Sequence, residues 1–320
     1  VLLGDEKNRM DMISVCIPIY NRNVNNLARD LSSQLKSLNK GGEILLIDDC
    51  SDIIYKKANK FNAENILYHA LDKNVGRAKI RNLFLNYARY DYLLFIDCDS
   101  TINSEDFIPQ YFKVIETDPD VVCGGSVYEK TKPPKEKLLH WKYGTFRESQ
   151  TADIRNRFPN KSFKTNNFLI KKKIFEKVRF DERITEYGHE DTLFGHLLKK
   201  NGIAILHINN PVVNGIPETN KEFLEKTEKA VTGLIRIMHF PDFDSELMND
   251  IRILRVYNKI KYIALPVRLS FLLTKPLIIY LLSNGYANLR LLEFFKLGTL
   301  LINLKKERQK INPRAVKYPA

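Results

Sequence analysis

The run Tyr92-Leu93-Leu94-Phe95-Ile96 stops abruptly at Asp97-Cys98-Asp99-Ser100. Consecutive apolar residues without polar alternation describe a strand covered on both faces, as in a parallel sheet between two layers of helix. Comparable runs occur earlier, at Ile13–Ile19, Ile44–Ile47 and Ile66–Tyr68, separated by helix-length segments such as Val24–Leu38 and Val75–Ala88. Alternation at about 30 residues per unit is the mark of βαβ crossovers. The chain is therefore expected to form an α/β domain around a mostly parallel sheet. Three runs end in polar residues: Tyr20-Asn21-Arg22, Asp48-Asp49 and Asp97-Cys98-Asp99. One rim of the sheet should gather acids, at the place where open α/β sheets bind their ligands.

Beyond Asp99 the regularity loosens. A helix is expected over Ser104–Glu116, capped by Ser104, and a strand near Val121–Cys123. Residues 130–161 lack clean periodicity and read as a long loop region, a common form of lid or binding surface. His140 and Trp141, the only tryptophan, fall inside it. Trp141 suits either stacking on a sugar ring or pinning the loop to the core. Order resumes with Phe168-Leu169-Ile170 and a helix opening at Glu190-Asp191. Leu193, Phe194, Leu197 and Leu198 form its apolar stripe, and Gly202 ends it.

Charge separates the C-terminal region from the rest. Residues 251–320 hold 14 Lys+Arg against 2 Asp+Glu, nearly the whole net charge of +13. A basic catalytic face is thus not the source of the excess. The cations lie among aliphatic residues without a stacking platform, which argues against nucleic-acid binding. Residues 263–282 are the most hydrophobic, but Pro266, Arg268, Lys275 and Pro276 interrupt them, and a spanning helix needs about 20 mostly apolar residues. The expectation is a set of amphipathic helices on an anionic membrane surface, the bland alternative being a helical subdomain with a solvated basic face. The organisation expected is an N-terminal extension over 1–11, a catalytic domain over 12–241 and a basic amphipathic helical region over 242–320. Cys16, Cys50, Cys98 and Cys123 show no metal-ligand spacing and suit a reducing compartment. With no signal-like apolar core at its beginning, the chain is expected in the cytoplasm.

Asp97 and Asp99 are two residues apart, so in extended backbone both point to one side of the chain. Carboxylates there are hard ligands for Mn²⁺ or Mg²⁺, ions that also hold a substrate's phosphates. Asp48 at the end of the second strand suits a hydrogen bond from a base or ribose, though Asp-Asp-Cys-Ser is also ordinary turn chemistry. Asn74 is placed to cap the next helix, where Arg77 and Arg81 share a face fitted to phosphate. Glu190 and Asp191 open a later helix. Either could take a proton from a hydroxyl, and acids also favour that turn for plain capping.

Taken in order, these residues resemble the inverting glycosyltransferases of family two, which have the GT-A fold. The resemblance is carried by Ser14 to Asn21, Ile47 to Ser51, Asn74 to Asn82, Asp97 to Ser100, Thr165 to Phe168, Phe180 to Glu182 and Gly188 to Asp191. It implies that Pro18, Tyr20 and Asp48 line the nucleotide base site, with Asn21 and Asp49 beside them. Gly76, Arg77 and Arg81 would belong to the loop and helix closing over the donor. Asp97 would face the ribose or the metal, and Asp99 would ligate the metal, Mn²⁺ or Mg²⁺. Asn166 and Asn167 would lie near the donor sugar. Asp191, next to Glu190, would be the general base. The implied activity moves a sugar from a nucleotide donor, UDP-linked by preference, to a glycan or lipid-linked acceptor in bacterial surface polysaccharide synthesis. The enzyme would sit peripherally on the inner face of the cell membrane.

One position departs from the family. Many relatives have a metal-completing His after the strand that follows the Glu-Asp helix; Asn214 stands near that place, and His207 falls within the strand. Two other readings compete. Asp97-Cys98-Asp99-Ser100-Thr101 also fits the signature of haloacid-dehalogenase-like phosphohydrolases, although three strand-helix units precede it here. A catalytically inactive membrane-docking scaffold is the third.

Overall fold

Alternate residues of one strand face opposite sides of a sheet, and the central strands use both sides as core. In the computed structural model, which describes residues 12–311 except 39, 40, 62 and 186, strand β1 spans Ile13–Ile19 and β2 spans Gly42–Asp48. The expected extension over 1–11 lies outside the described residues. β3 (Ile66–Ala70) and β4 (Tyr92–Ile96) complete the parallel half. Val15, Ile17, Leu94 and Ile96 pack to one side, with Leu27 and Leu31 of the helix Asn25–Ser37 and Phe107 and Tyr111 of the helix Phe107–Ile115. Cys16, Leu45, Leu93 and Phe95 pack to the other, with Phe175 and Phe194. Two helical layers on one sheet explain why these runs carry almost no polar alternation.

The later strands are β5 (Val121–Cys123), β6 (Ser126–Val127), β7 (Asn167–Lys171), β8 (Ile205–His207) and β9 (Val212–Val213). The main sheet has the order β3-β2-β1-β4-β7-β5-β8, and β6 pairs with β9 in a small second sheet. β7 runs antiparallel to both β4 and β5, so it alone is reversed in the main sheet. Phe168 of β7 stacks on Phe95 of β4 with ring centroids 4.7 Å apart. This is the mostly parallel α/β architecture expected.

The described residues divide into two compact units, one within 12–130, 144–185 and 190–216, the other within 131–143, 187–189 and 217–311. The boundary anticipated at residue 242 therefore moves to 217. The reason is the helix Asn220–Ile237: its Leu224 packs with Leu139, Phe271, Ile278 and Phe295 in the second unit's core. Residues 130–161 are not the irregular loop expected. They contain the helices Leu138–Tyr143 and Ala152–Arg155 and a wide π turn over Gly144–Glu148, each too short for a periodic signal. The helix expected over Val75–Ala88 is shorter, Arg77–Leu83 followed by a 3₁₀ turn to Asn86.

The helices expected to be amphipathic lie in the second unit. The helix Ala264–Ser283 buries Phe271, Ile278 and Leu282 but exposes Leu265, Leu269, Leu272, Leu273, Leu277 and Tyr280. Pro266 falls in its first turn, where no intrahelical N–H is required, and Pro276 lies inside it. Residues 252–283 are long and apolar enough to cross a membrane by length and composition alone. The preceding helix Arg252–Ile260 exposes Arg252, Arg255 and Lys259.

Candidate active site

The apolar β4 strand delivers Asp97 and Asp99 to the rim of the sheet. A backbone bond from Asp97 N to Asn166 O (3.2 Å) fixes the turn against the start of β7. Thr101 and Val213 exchange two backbone bonds of 2.9 Å. Gly215 lies against Asp99 so closely that a Cβ there would meet the Asp99 carbonyl oxygen at 2.6 Å. The Asp97 carboxylate accepts from Arg81 at 2.8 Å. Asp99 is open to solvent on one side and hemmed in by protein on the others. Burial, then the charge of Asp97, raise its pKa above the usual carboxylate range, against the lowering influence of Arg22 and Arg77.

The short helix Arg77–Leu83 ties the parts together. Residues i and i+4 share a helix face: Arg81 holds Asp97, and Arg77 reaches Glu190 at 3.6 Å. Arg81 is almost fully buried and also donates to Arg77 O (3.1 Å), so it braces Asp97 and is not an open phosphate clamp. Its Nε has no hydrogen-bond partner among the described residues. The helix is capped differently from expectation. Gly76 occupies the cap at φ +85°, a left-handed conformation that suits glycine. Asn74 instead donates to Asp49 O at 3.1 Å. The Asp49 carboxylate accepts from Val75 N (2.6 Å) and Gly76 N (3.0 Å), and burial outweighs those bonds to raise its pKa.

Asp48 requires a correction. It is fully buried, accepting from Ser51 N at 2.7 Å and Tyr68 Oη at 2.9 Å, so it organises the rim from beneath and offers no surface to a base. Asn21, at φ +49°, donates through its backbone to Ser51 Oγ and accepts from Asp52 N, each at 2.8 Å. It clasps the ends of β1 and β2 together. Pro18 is half-buried and Tyr20 exposed beside that clasp.

The helix Glu190–Lys200 presents the Glu-Asp pair. Glu190 is buried against Arg77, whereas Asp191 keeps 18% of its side chain exposed. One Asp191 oxygen accepts from Thr192 N and the other from Lys164 Nζ, both at 2.7 Å. Lys164 carried no sequence signal, being one cation in a Lys-rich stretch. Asn166 donates to Asn214 Oδ1 at 2.9 Å, and its own Oδ1 is enclosed without a partner among the described residues. Asn167 is corrected to a structural role: it is fully buried, accepting from Tyr111 Oη and donating to the Gly125 and Asn210 carbonyls. His140 and Trp141 belong to the second unit, on the helix Leu138–Tyr143, and not to a loop. His140 stacks on Phe223 and accepts from Glu218 N at 3.0 Å.

Among the described residues no three His, Cys, Asp or Glu gather as a metal cluster. Asp97 and Asp99 nevertheless fit a hard divalent ion. They are two oxygen ligands whose mutual repulsion a cation relieves, and Mg²⁺-type sites ordinarily use one or two carboxylates plus substrate phosphates. The phosphohydrolase alternative is set aside. Its nucleophile would be Asp97, which here ends the fourth strand, locked to Arg81.

Comparisons with known proteins show the family and the fold. Residues 14–179 match the profile of Glycosyl transferase family 2. Chondroitin synthase of Escherichia coli is 24% identical over 234 residues, covering 60% of this chain and 33% of that protein. The chain thus spans about a third of that relative's length. The mannosyltransferase PcManGT of Pyrobaculum calidifontis, solved with GDP-Man and Mn²⁺, aligns with TM-score 0.51 at 13% identity, covering 94% of this chain and 87% of that one. S. aureus TarS 1-349 in complex with UDP aligns with TM-score 0.50 at 17% identity, covering 95% and 92%.

Proposed function

Because the chain belongs to glycosyl transferase family 2, we propose that it transfers a sugar from a nucleoside-diphosphate donor to an acceptor hydroxyl with inversion at the anomeric carbon. The observation that carries this reading is the bridge from Asp97 through Arg81 and Arg77 to Glu190, which joins the acids of β4 to the Glu-Asp helix. Donor and base are thereby held on one frame.

Tyr20 and Pro18 flank the base site, and Gly76 with Arg77 borders the diphosphate. Asp99 and Asp97 would hold Mn²⁺ or Mg²⁺, which supplies neutralisation of the charge developing on the leaving diphosphate. Asn166, with its unpartnered Oδ1, faces the donor sugar. Asp191 accepts the proton of the attacking hydroxyl, with Lys164 and Thr192 fixing its two oxygens. Asn214 stands near the place where the resemblance leads one to look for a His; its Oδ1 is engaged by Asn166, so it steadies that amide. UDP is the favoured nucleotide, supported by the UDP-bound neighbour, while the GDP-Man-bound one supports a nucleotide sugar as a class.

The acceptor is a glycan or lipid-linked saccharide at the inner face of a bacterial membrane. The exposed leucines of Ala264–Ser283 beside exposed Arg252, Arg255, Lys259 and Lys261 support an anionic bilayer as partner. Four free cysteines accord with a cytoplasmic setting. Asp191→Asn tests the chemistry. General base catalysis contributes about 10²–10⁴-fold, so turnover should fall at least about a hundredfold while donor binding persists. Near-normal turnover would remove Asp191 from the mechanism, and absence of any sugar transfer by the wild type would favour the inactive scaffold.

A further inference from the structure

A cavity of about 420 Å³ opens within the first unit, with Arg147, Arg155, Lys161 and Lys164 in its lining and Glu148 as the acid among them. Arg155 is only 5% exposed. Its guanidinium donates to the carbonyls of Cys123, Gly124, Gln150 and Ile208 and to His207 Nδ1, at 2.7–3.1 Å. Since arginine only donates, Nδ1 is the acceptor and His207 Nε2 donates to Pro159 O at 2.9 Å. Every partner of Arg155 is therefore uncharged, and among the described residues it forms no ion pair. Burying a cation without a counter-ion is costly; its five N–H groups are all engaged by protein, so Arg155 acts on the cavity it lines through its charge alone. Arg147 is exposed on the wall, also without an ion pair among the described residues. Glu148 accepts from Tyr128 Oη at 2.8 Å, and Lys161 lies 5.8 Å from the ring centroid of exposed Phe158. Lys164 both lines the cavity and holds Asp191.

We propose that this cavity is the acceptor subsite and that it takes an anionic acceptor, a saccharide carrying a phosphate or carboxylate group close to the hydroxyl that reacts. The inference rests on the glycosyltransfer reading and on Asp191 as base. Arg155 contributes fixed positive charge without a free N–H, Arg147 and Lys161 supply the charge-assisted contacts to the anion, and Phe158 offers an apolar face for a sugar ring. Lys164 is the link to the chemistry: it lines the cavity, and its ammonium holds the Asp191 carboxylate at 2.7 Å.

The test uses the full chain with a UDP-sugar panel and three matched acceptors: glucose, glucuronic acid and glucose 6-phosphate. The wild type should prefer the charged acceptors, and comparing the two distinguishes carboxylate from phosphate. Arg147→Gln with Lys161→Gln should raise KM for the charged acceptor about tenfold or more, the scale of a lost charge-assisted contact. It should leave kcat, donor affinity and slow hydrolysis of the donor by water unchanged. Equal use of glucose, or an unaltered KM in the double variant, overturns the inference while leaving sugar transfer intact. If the wild type turns over no donor at all, the transfer reading fails. Calorimetric binding of glucose 6-phosphate and glucuronic acid then decides the cavity separately, with salt-sensitive binding lost in the double variant supporting it and absence of binding to the wild type overturning it.

Discussion

Strands β2 and β4 flank β1, and each ends in acids on the same rim. At β2, Asp48 and Asp49 are shut in, their oxygens taken by the backbone of Ser51, Val75 and Gly76 and by the Tyr68 hydroxyl. At β4, Asp97 is braced on one side by Arg81 and Asp99 opens to solvent with its pKa raised. The difference lies in what each turn must satisfy. The β2 turn has to hold the glycine-led start of the Arg77–Leu83 helix, whose first amides lack intrahelical acceptors. The β4 turn carries no such demand, and its second acid stays exposed, as the proposed metal role requires. Acids at the ends of two strands thus divide into an enclosed pair and a pair with an exposed member, which under the proposed function are scaffold and site.

Substitutions can break that division. The largest effect is expected at Asp99→Asn, which should cut sugar transfer on the order of a hundredfold or more, as removal of a group stabilising developing charge does, with a nearly unchanged melting temperature. Asp49→Ala should show the reverse signature. It orphans two amides at about 1–3 kcal/mol each, so chemical denaturation should show a lower midpoint before any specific loss of turnover. If Asp49→Ala keeps full stability, Asp49 is not scaffold.

A third test concerns His207 on β8, buried under the cavity floor. Burial, with a smaller contribution from Arg155, lowers its pKa from 6.5 to about 4 despite the bond to Pro159 O. Between those values the unfolded chain takes up a proton that the folded chain refuses. Its contribution to stability is therefore full above about pH 6.5 and lost as pH falls toward 4, on the order of 1–3 kcal/mol. His207→Gln should flatten that part of the stability profile; an unchanged slope would place the titration elsewhere. The smallest effect is expected for Gly76→Ala. At φ +85° and ψ 168° a Cβ costs about 1–3 kcal/mol, and with only Thr185 O near it, at an ordinary 3.9 Å, the cost falls on the backbone. A stability loss beyond that range would show that the loop leading into the Arg77–Leu83 helix is coupled to more of the fold.

The sheet was legible in the sequence because continuous apolar runs ending in acids leave few alternatives to a two-sided strand. That Asp97 and Asp99 reach the rim was legible because they break a strong apolar run, and that Glu190 and Asp191 open a helix was legible from the apolar stripe that follows them. Asp48 and Asn167 were misjudged because sequence order conveys which rim a residue reaches but not whether neighbours fill its hydrogen-bonding capacity. Tyr68 and Tyr111, which occupy them, come from elements 20 and 56 residues distant. Lys164 and Arg155 were invisible as single cations in a basic stretch, since their meaning comes from partners supplied by tertiary contact. The helices Leu138–Tyr143 and Ala152–Arg155 were missed because six and four residues are too few for a helical period to repeat.

The most direct measurement is calorimetric UDP binding with and without Mn²⁺ to the wild type, Asp48→Asn and Asp99→Asn. Metal-dependent binding by the wild type and Asp48→Asn, and its loss in a folded Asp99→Asn, is the predicted result. Undiminished metal-dependent binding by Asp99→Asn, or its selective loss in a folded Asp48→Asn, would contradict the division between an open site at β4 and a sealed support at β2.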